Sequence, residues 1–570
     1  MKELTPIALP ELAPSNPFFA SAPTLNVRDE EQPLIRRARV RIFVGGAVFV
    51  LFLFLLLSRL ADMSMLHSVK SRTFMTTNPV KTRLDIVDRN GALLATSLKT
   101  WSLYADPRKV WDKVASTEAL ISVLPDLDPE VIEARLGSKK EFVWIRRNLT
   151  PAQRQKVFLL GLPELGFKVE QKRIYPRNRL AAHLLGFTDI DQNGVAGAER
   201  AFNRALFAED GKTGRPVRLS VDMRVQFALT DELRAGLETY RAKAAAGVVL
   251  NIKTGEILAL ASLPDFDPNR PGTVLPENRL NHAAMSVYEL GSVFKPITMA
   301  LALEENVVKD GEKLPVQNKL TIRGKTIHDN HSSPVPLGLF DILAKSSNRG
   351  VALLALRAGG EAQQDLLKKL GLLDRVPVEL PERAAPLVAR NWQDITTVTV
   401  SYGHGISVSP LALAVAIGAI LNDGVYVQPT ILAHETGQAL VTHRVVSPQT
   451  ARTVGDMMRY VVTNGTGRHA DVPGYGVMGK TGTAEKIVNG QYDKTRLVTS
   501  FVAAFPHRDP HYLVFVTYDE PKPYAQSYGY ATAGWNAAYT AGHVVARIAP
   551  LLGVKKQQEA RLLAKAGGAQ

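Results

Sequence analysis

The sequence has no cysteine among its 570 residues. Disulfides, thiolate metal sites and cysteine nucleophiles are excluded together, and the chain is compatible with an oxidising compartment. Acidic residues are also in short supply: 54 Asp and Glu stand against 69 Lys and Arg, a formal net charge of +15. Such a surplus favours anionic surroundings, whether nucleic acid, anionic lipid or an acidic polymer. No finger, homeodomain or RNA-binding signature accompanies the charge, so nucleic acid is not an expected partner. No internal repeat is visible, and a composition of 45% apolar and 22% charged residues is that of ordinary globular domains.

Long apolar runs are almost lacking, and the one present decides the topology. Residues 42–58 read IFVGGAVFVLFLFLLLS between Arg41 and Arg59. That length is near the short end of what spans a bilayer as a helix. No polar stripe interrupts it, as one would in a core helix. No Ala-x-Ala cleavage site follows it, as in a signal peptide. We read residues 42–60 as an uncleaved transmembrane anchor. Arg36, Arg37, Arg39 and Arg41 crowd its N-terminal side, so the positive-inside rule keeps the N-terminus cytoplasmic and puts the rest outside the membrane. Residues 1–41, rich in Pro, Ala and Ser and without periodicity, are expected to form a disordered tail.

The length suggests two to four domains. Over 61–225, short strands alternate with short helices. Leu84, Ile86 and the Asn90-Gly91 dipeptide predict a strand entering a tight turn. Thr150 followed by Pro151 predicts a capped helix start. A larger domain, 226–555, is introduced near Leu219–Met223 by a helix running through Arg241. Residues 246–261 read as two buried strands around Lys253-Thr-Gly255. Helical patterns cover 285–304, 338–358 and 409–422. Strands return at 473–488, 498–505 and 511–518, a helix closes the domain at 535–549, and 556–570 form a C-terminal tail. Terminal strands enclosing a helical middle predict an α+β fold, an antiparallel sheet with helices on both faces.

Three short motifs carry chemistry, in one order: Ser292-Val-Phe-Lys295, then Ser346-Ser-Asn348, then Lys480-Thr-Gly482. The trio is the signature of penicillin-binding proteins and class A β-lactamases, a match of pattern rather than a deduction. Its physics can be read residue by residue. Ser292 and Lys295 share one helix face, and Gly291 marks a helix start whose free N–H groups face the reacting atoms. A serine hydroxyl needs an adjacent base, and Lys295 serves only when neutral, which burial or a nearby cation such as Lys480 would bring about. Ser346 can pass a proton to a leaving amine, and Asn348 can hold a substrate amide. Met478–Ala484 reads as an exposed strand on which a peptide adds as another strand, with Thr481 and Thr483 holding its terminal carboxylate beside Gly482. The N–H groups of Ser292 and Thr483 are the expected oxyanion hole.

Lys-Thr-Gly also occurs at 212–214 and 253–255, but only the 480–482 copy follows the other two motifs. Gly474-Tyr-Gly-Val-Met-Gly-Lys-Thr481 also fits a phosphate-loop pattern, with Leu513–Glu520 resembling its acidic strand. The Asn489-Gly490 turn after it suits a hairpin instead of the required helix. His328 and His331 flank Asp329 in what reads as a solvated loop, with no metal expected, and His404 in Tyr402-Gly-His-Gly405 is read as packing or hydrogen bonding. Asp519 and Glu520 are read as a strand-end turn near the groove. A class A β-lactamase would need Glu-x-x-x-Asn between the second and third motifs, and neither Glu379 nor Glu382 has it.

From about residue 80 to 555 the chain resembles the class B penicillin-binding proteins, most closely those of cell division. Asp88-Arg-Asn-Gly91, Arg173-Ile-Tyr-Pro176, His183-Leu-Leu-Gly186 and Gly197-Ala-Glu199 resemble pieces of that family's non-catalytic pedestal. Tyr402–Ile406 and Tyr528–Asn536 resemble pieces of its transpeptidase domain. The resemblance implies a pedestal over 61–225 and a transpeptidase over 226–555. It further implies Ser292 as acyl acceptor, Lys295 as base, and Ser346, Asn348, Lys480 and Thr481 as partners. Substrates would be peptidoglycan stem peptides ending in D-Ala-D-Ala, with β-lactams as mimics, no cofactor, division proteins as partners and a separate membrane glycosyltransferase. A water-accepting carboxypeptidase or β-lactamase, an elongation enzyme and a mainly scaffolding protein are the alternatives. Leu290 departs from the proline many members carry before Gly-Ser.

Overall fold

The structure is a computed structural model that describes residues 32–61, 82–207 and 214–556. The predicted tail residues 1–31, the stretch after the anchor, Lys212 and Thr213 of the first Lys-Thr-Gly copy and the end beyond 556 lie outside them. The chain divides into two units at Asn78, described separately.

Among the described residues the first unit holds one helix, Gln32–Ala61. It starts earlier than the anchor predicted from residue 42, so part of the supposed tail is helical. Its Arg39–Arg59 stretch is long and apolar enough to cross a membrane. Phe43, Phe49 and Phe54 are each more than half exposed, as expected of a helix with apolar residues on every side.

The second unit begins at Pro79, and within it the two predicted domains form one compact body. Its first sheet is centred on Leu93–Ala105, which pairs antiparallel with Ile86–Val87, Val143–Leu149 and Leu165–Ile174. Thr150 caps Pro151–Phe158 through a reciprocal bond with Gln153, as its sequence predicts. Each of the four pedestal-like motifs supplies a residue to a buried polar junction. Glu199 sits between Arg83 (2.5 Å) and Arg173 (2.7 Å), with all three side chains essentially inaccessible. Asp88 accepts from Asn90 and Ala92 N–H in its own turn and from Met223 N–H at the start of the next helix. Tyr175 N–H donates to Asn269 Oδ1, and the buried His183 bonds Asn278 O, so this region is tied directly to the larger sheet's connections.

That larger sheet has the order Met478–Val488, Gln491–Phe505, Tyr512–Asp519, Ala244–Asn251, Ile257–Leu263, antiparallel throughout. Strand periodicity divides its side chains between two cores. Ala246, Val248, Leu250, Leu513 and Phe515 join a core containing the wholly buried helix Pro410–Leu421. Ala245, Val249, Val514, Val516 and Tyr518 pack with helices Met223–Thr239 and Ala537–Leu551. A sheet covered on both faces explains why these strands read as nearly continuous apolar runs.

Four sequence expectations change in detail. Residues 285–290 are not helical; a 3₁₀ turn over Gly291–Phe294 leads into the helix Lys295–Glu304. Residues 338–358 form two helices, Leu339–Ala344 and Asn348–Ala358, broken at Ser346, whose φ of 57° lies in the left-handed region. The predicted strand at 473–488 begins only at Met478, and the strand predicted at 498–505 starts at Gln491.

Candidate active site

The three motifs converge. Ser292 lies on the 3₁₀ turn, and its turn docks against the edge strand Met478–Val488. The contact is backbone to backbone, which explains its glycines. Gly291 has φ +62°, and a Cβ there would lie 2.8 Å from Thr483 O; one on Gly482 would lie 2.4 Å from Leu290 O. Leu290, the departure from the family pattern, is fully buried and packs into the larger core.

Lys295 and Lys480 are both completely inaccessible. Lys295 Nζ bonds Ser346 O at 2.5 Å, Asn348 Oδ1 at 2.7 Å and Ser346 Oγ at 3.1 Å. Lys480 Nζ donates to the same Ser346 Oγ at 3.0 Å and to Thr481 O at 2.9 Å. Burial, then the neighbouring Lys480, pushes Lys295 well below the ordinary lysine range, while Asp329 opposes the shift. Burial alone pushes Lys480 down to about 7. The neutral Lys295 that sequence reasoning required is therefore the form this environment favours.

Proton counting then fixes a direction. A neutral amine has two N–H bonds and one lone pair. The carbonyl of Ser346 and Asn348 Oδ1 can only accept, so they take both N–H bonds. The remaining partner, Ser346 O–H, donates to the lone pair while its oxygen accepts from Lys480. Lys480, Ser346 and Lys295 form a path along which a proton can pass. Ser292 is half-buried, its carbonyl accepts from Lys295 N–H, and its hydroxyl makes no hydrogen bond among the described residues, so Lys295 Nζ is engaged with the second motif instead of with Ser292 Oγ.

Several assignments acquire different partners. Asn348 spends its amide on Lys295 and on His328 O (2.9 Å). Thr481 shares a 2.7 Å hydroxyl contact with Thr466, and Thr483 Oγ1 accepts from Ala533 N–H at 3.1 Å. Met478–Ala484 is an edge strand, but its residues are mostly buried rather than exposed.

Sequence reasoning missed Asp329 and Thr466. Asp329 was read as part of a solvated loop, yet it accepts from Ser347 Oγ and from Asn348 and Arg349 N–H. It thereby holds the second motif in place. His328 and His331 are exposed, and the described residues contain no metal-ligand cluster. The only signal for Asp329 was its position between two histidines, which pointed the wrong way.

His404 lies between Tyr402 and Tyr492, and its buried Nδ1 has no partner among the described residues. Next to it, Glu289 accepts from Gly405 N–H and Tyr492 O–H. Asp519 and Glu520 hold Lys486. Glu379 accepts from Thr430 and Ile431, and Glu382 from Gly197, so both carboxylates are engaged in the fold. The phosphate-loop reading fails, because Lys480 lies inside a strand that turns at Asn489-Gly490, both at positive φ, into its antiparallel neighbour.

Known proteins share this organisation. The profile of the penicillin binding protein transpeptidase domain matches residues 245–539, and that of the penicillin-binding protein dimerisation domain matches 80–217. A probable peptidoglycan D,D-transpeptidase FtsI of Caulobacter vibrioides is 43% identical over 487 residues, covering 84% of this chain and 82% of the relative. The peptidoglycan D,D-transpeptidase FtsI of Escherichia coli is 30% identical over 472 residues, covering 77% and 79%. The crystal structure of penicillin binding protein 3 of Mycobacterium tuberculosis, complexed with aztreonam, superposes with a TM-score of 0.66 at 27% identity, covering 84% of this chain and 98% of that one.

Proposed function

This chain belongs to the penicillin-binding protein transpeptidase family, and from that premise we propose how its residues divide the work of a serine-type peptidoglycan D,D-transpeptidase. Ser292 Oγ attacks the carbonyl of a terminal D-Ala-D-Ala bond as its proton passes to neutral Lys295, whose lone pair is freed when the Ser346 hydroxyl turns from it toward the leaving nitrogen. Ser346 delivers a proton to the departing nitrogen, so D-alanine leaves as an amine and an ester remains on Ser292. An amine of a neighbouring stem peptide then attacks that ester. The C–Oγ bond breaks, an amide bond forms, and the amine's proton returns to Ser292 through Lys295. The N–H groups of Ser292 and Thr483 stabilise the oxyanion in both steps. Lys480, Thr481 and Thr483 receive the terminal carboxylate, with Gly482 letting the strand and the nucleophile turn approach.

The observation that supports this most is the shared Ser346 hydroxyl, bonded to both buried lysines. It supplies the proton path that acylation and deacylation both need. β-Lactams mimic the donor and acylate Ser292. Ser292→Ala should abolish covalent labelling by a fluorescent penicillin, and a Ser292→Ala protein that still labels would overturn the assignment.

We further infer a single-pass protein of the cytoplasmic membrane, with its N-terminus inside and its catalytic unit in the periplasm. Support comes from the Arg36–Arg41 cluster at one end of the apolar helix against Arg59 alone at the other. Action at the division septum is inferred from the FtsI name of two relatives, and division proteins and a separate glycosyltransferase are proposed along with it. A fluorescent fusion spread along the side wall of dividing cells, with no septal band, would overturn it.

A further inference from the structure

The chain between strand Tyr512–Asp519 and helix Ala537–Leu551 carries aromatic rings that the catalytic reading does not use. Tyr528 is 81% exposed and Tyr530 56% exposed, a large apolar display for one short loop. Both lean on the half-buried Trp535. Tyr530 lies nearly parallel to it (8°, centroids 6.4 Å apart), and Tyr528 stands edge-on at 5.5 Å. Behind Trp535, His469 stacks on Tyr539 at 4.1 Å and donates from Nδ1 to Gly534 O at 2.7 Å. The loop is built rather than loose. Ser527 Oγ accepts from Tyr524 N–H, Ser527 O accepts from Tyr530 N–H, and Tyr528 is held at φ +51°, a conformation bulky residues seldom adopt.

Position gives these rings a meaning. Ala533, two residues before Trp535, bonds Thr483 Oγ1, and Thr466, three residues before His469, bonds Thr481 Oγ1. The two segments that carry the rings are therefore fastened to the two threonines assigned to the leaving residue's carboxylate. In the second half-reaction the incoming amine attacks the same carbonyl carbon that D-alanine has left. It must approach through the space D-alanine vacated, on the side of Thr481 and Thr483. That amine arrives on a stem peptide carried by a glycan strand. Stem peptides are polar and charged, whereas a pyranose presents an apolar C–H face that stacks on aromatic rings, with hydroxyls left for tyrosine O–H groups.

We propose that Tyr528, Tyr530 and Trp535 form a platform that binds a pyranose ring of the acceptor glycan strand, on the leaving-group side of Ser292. The proposal rests on the transpeptidase roles given above, and its test separates the two. Full-length protein is acylated with a D-Ala-D-Ala-type donor. It is then offered either a disaccharide-linked stem peptide or the same peptide without sugar. The Tyr528→Ala/Tyr530→Ala protein should lose about tenfold in transfer to the sugar-bearing acceptor, as expected for two lost stacking contacts. Transfer to the sugar-free peptide and acylation by penicillin should be unchanged. Tyr528→Phe/Tyr530→Phe, which keeps the rings, should restore transfer to the sugar-bearing acceptor.

Equal transfer to both acceptors by the wild-type protein, or an equal loss with both in the alanine variant, would overturn the platform. In wild-type protein, quenching of tryptophan fluorescence by N-acetylglucosamine oligomers gives a second measurement that needs no variant. A normal Trp535→Phe control with no oligomer-dependent difference from wild type would also overturn it. Failure of wild-type protein to be acylated at all would instead refute the transpeptidase roles.

Discussion

Lys295 and Lys480 share one hydroxyl, and under the roles proposed for them their titration should govern when the site works. Acylation requires Lys295 without its proton, so the rate should rise with pH through the depressed value that burial and Lys480 impose. Carboxylate binding requires Lys480 with its proton, and burial places that loss near pH 7. The second-order rate of penicillin acylation should therefore be bell-shaped in pH. Lys480→Arg, whose charge does not titrate in this range, should remove the alkaline limb and leave the acid limb. An unchanged alkaline limb in that variant would assign it to another group. At this scale the sequence was most informative for residues defined by spacing, such as Ser292 and Lys295. It was silent on Asp329 and Thr466, because each acts through a contact made across the fold and neither belongs to a local pattern.

Among elements, the most consequential is the interruption at Ser346. Apolar periodicity across 338–358 favours one helix, but the left-handed Ser346 ends the first helix and turns its hydroxyl toward two lysines. Local periodicity cannot report such a break, since the residues on both sides keep helical spacing. Asp329 stabilises the restart by accepting from three groups at the first turn of Asn348–Ala358. Asp329→Ala should cost about 1–2 kcal/mol, as for other lost caps. It should also slow penicillin acylation, because Asn348 and Ser346 lose their anchor. Thermal unfolding and acylation kinetics on one preparation check both, and a stability loss with undiminished acylation would show that the cap serves the helix alone. By contrast, Thr150 and the 489–490 hairpin were fully legible, because caps and tight turns are written in adjacent residues.

At the scale of the whole molecule, fold class and the antiparallel character of the large sheet followed from apolar runs, but the order of its strands and the single compact body after Pro79 did not. Its cohesion comes from one apolar core that runs from Ile86, Leu94 and Leu184 into Leu250 and Phe515, supplemented by buried polar junctions. Glu199→Ala would leave Arg83 and Arg173 buried without their counter-charge, at a cost of about 3–5 kcal/mol. Chemical denaturation should show an earlier midpoint. A chain beginning at Pro79 should keep penicillin acylation and lose membrane association, measured by sedimentation with vesicles. Retained sedimentation would place a second lipid contact outside the apolar helix.

The catalytic sheet also imposes a timetable on biosynthesis. Its central ladder joins Ala244–Asn251 to Tyr512–Asp519, segments separated by most of the larger domain. The early hairpin must wait, with one side of its backbone unsatisfied, until Tyr512–Asp519 has left the ribosome. Contacts of such long range make for slow folding. A premature stop between Lys480 and Tyr512 leaves Ser292, Lys295 and Lys480 translated yet never assembled, so nonsense alleles in that interval should behave as complete nulls.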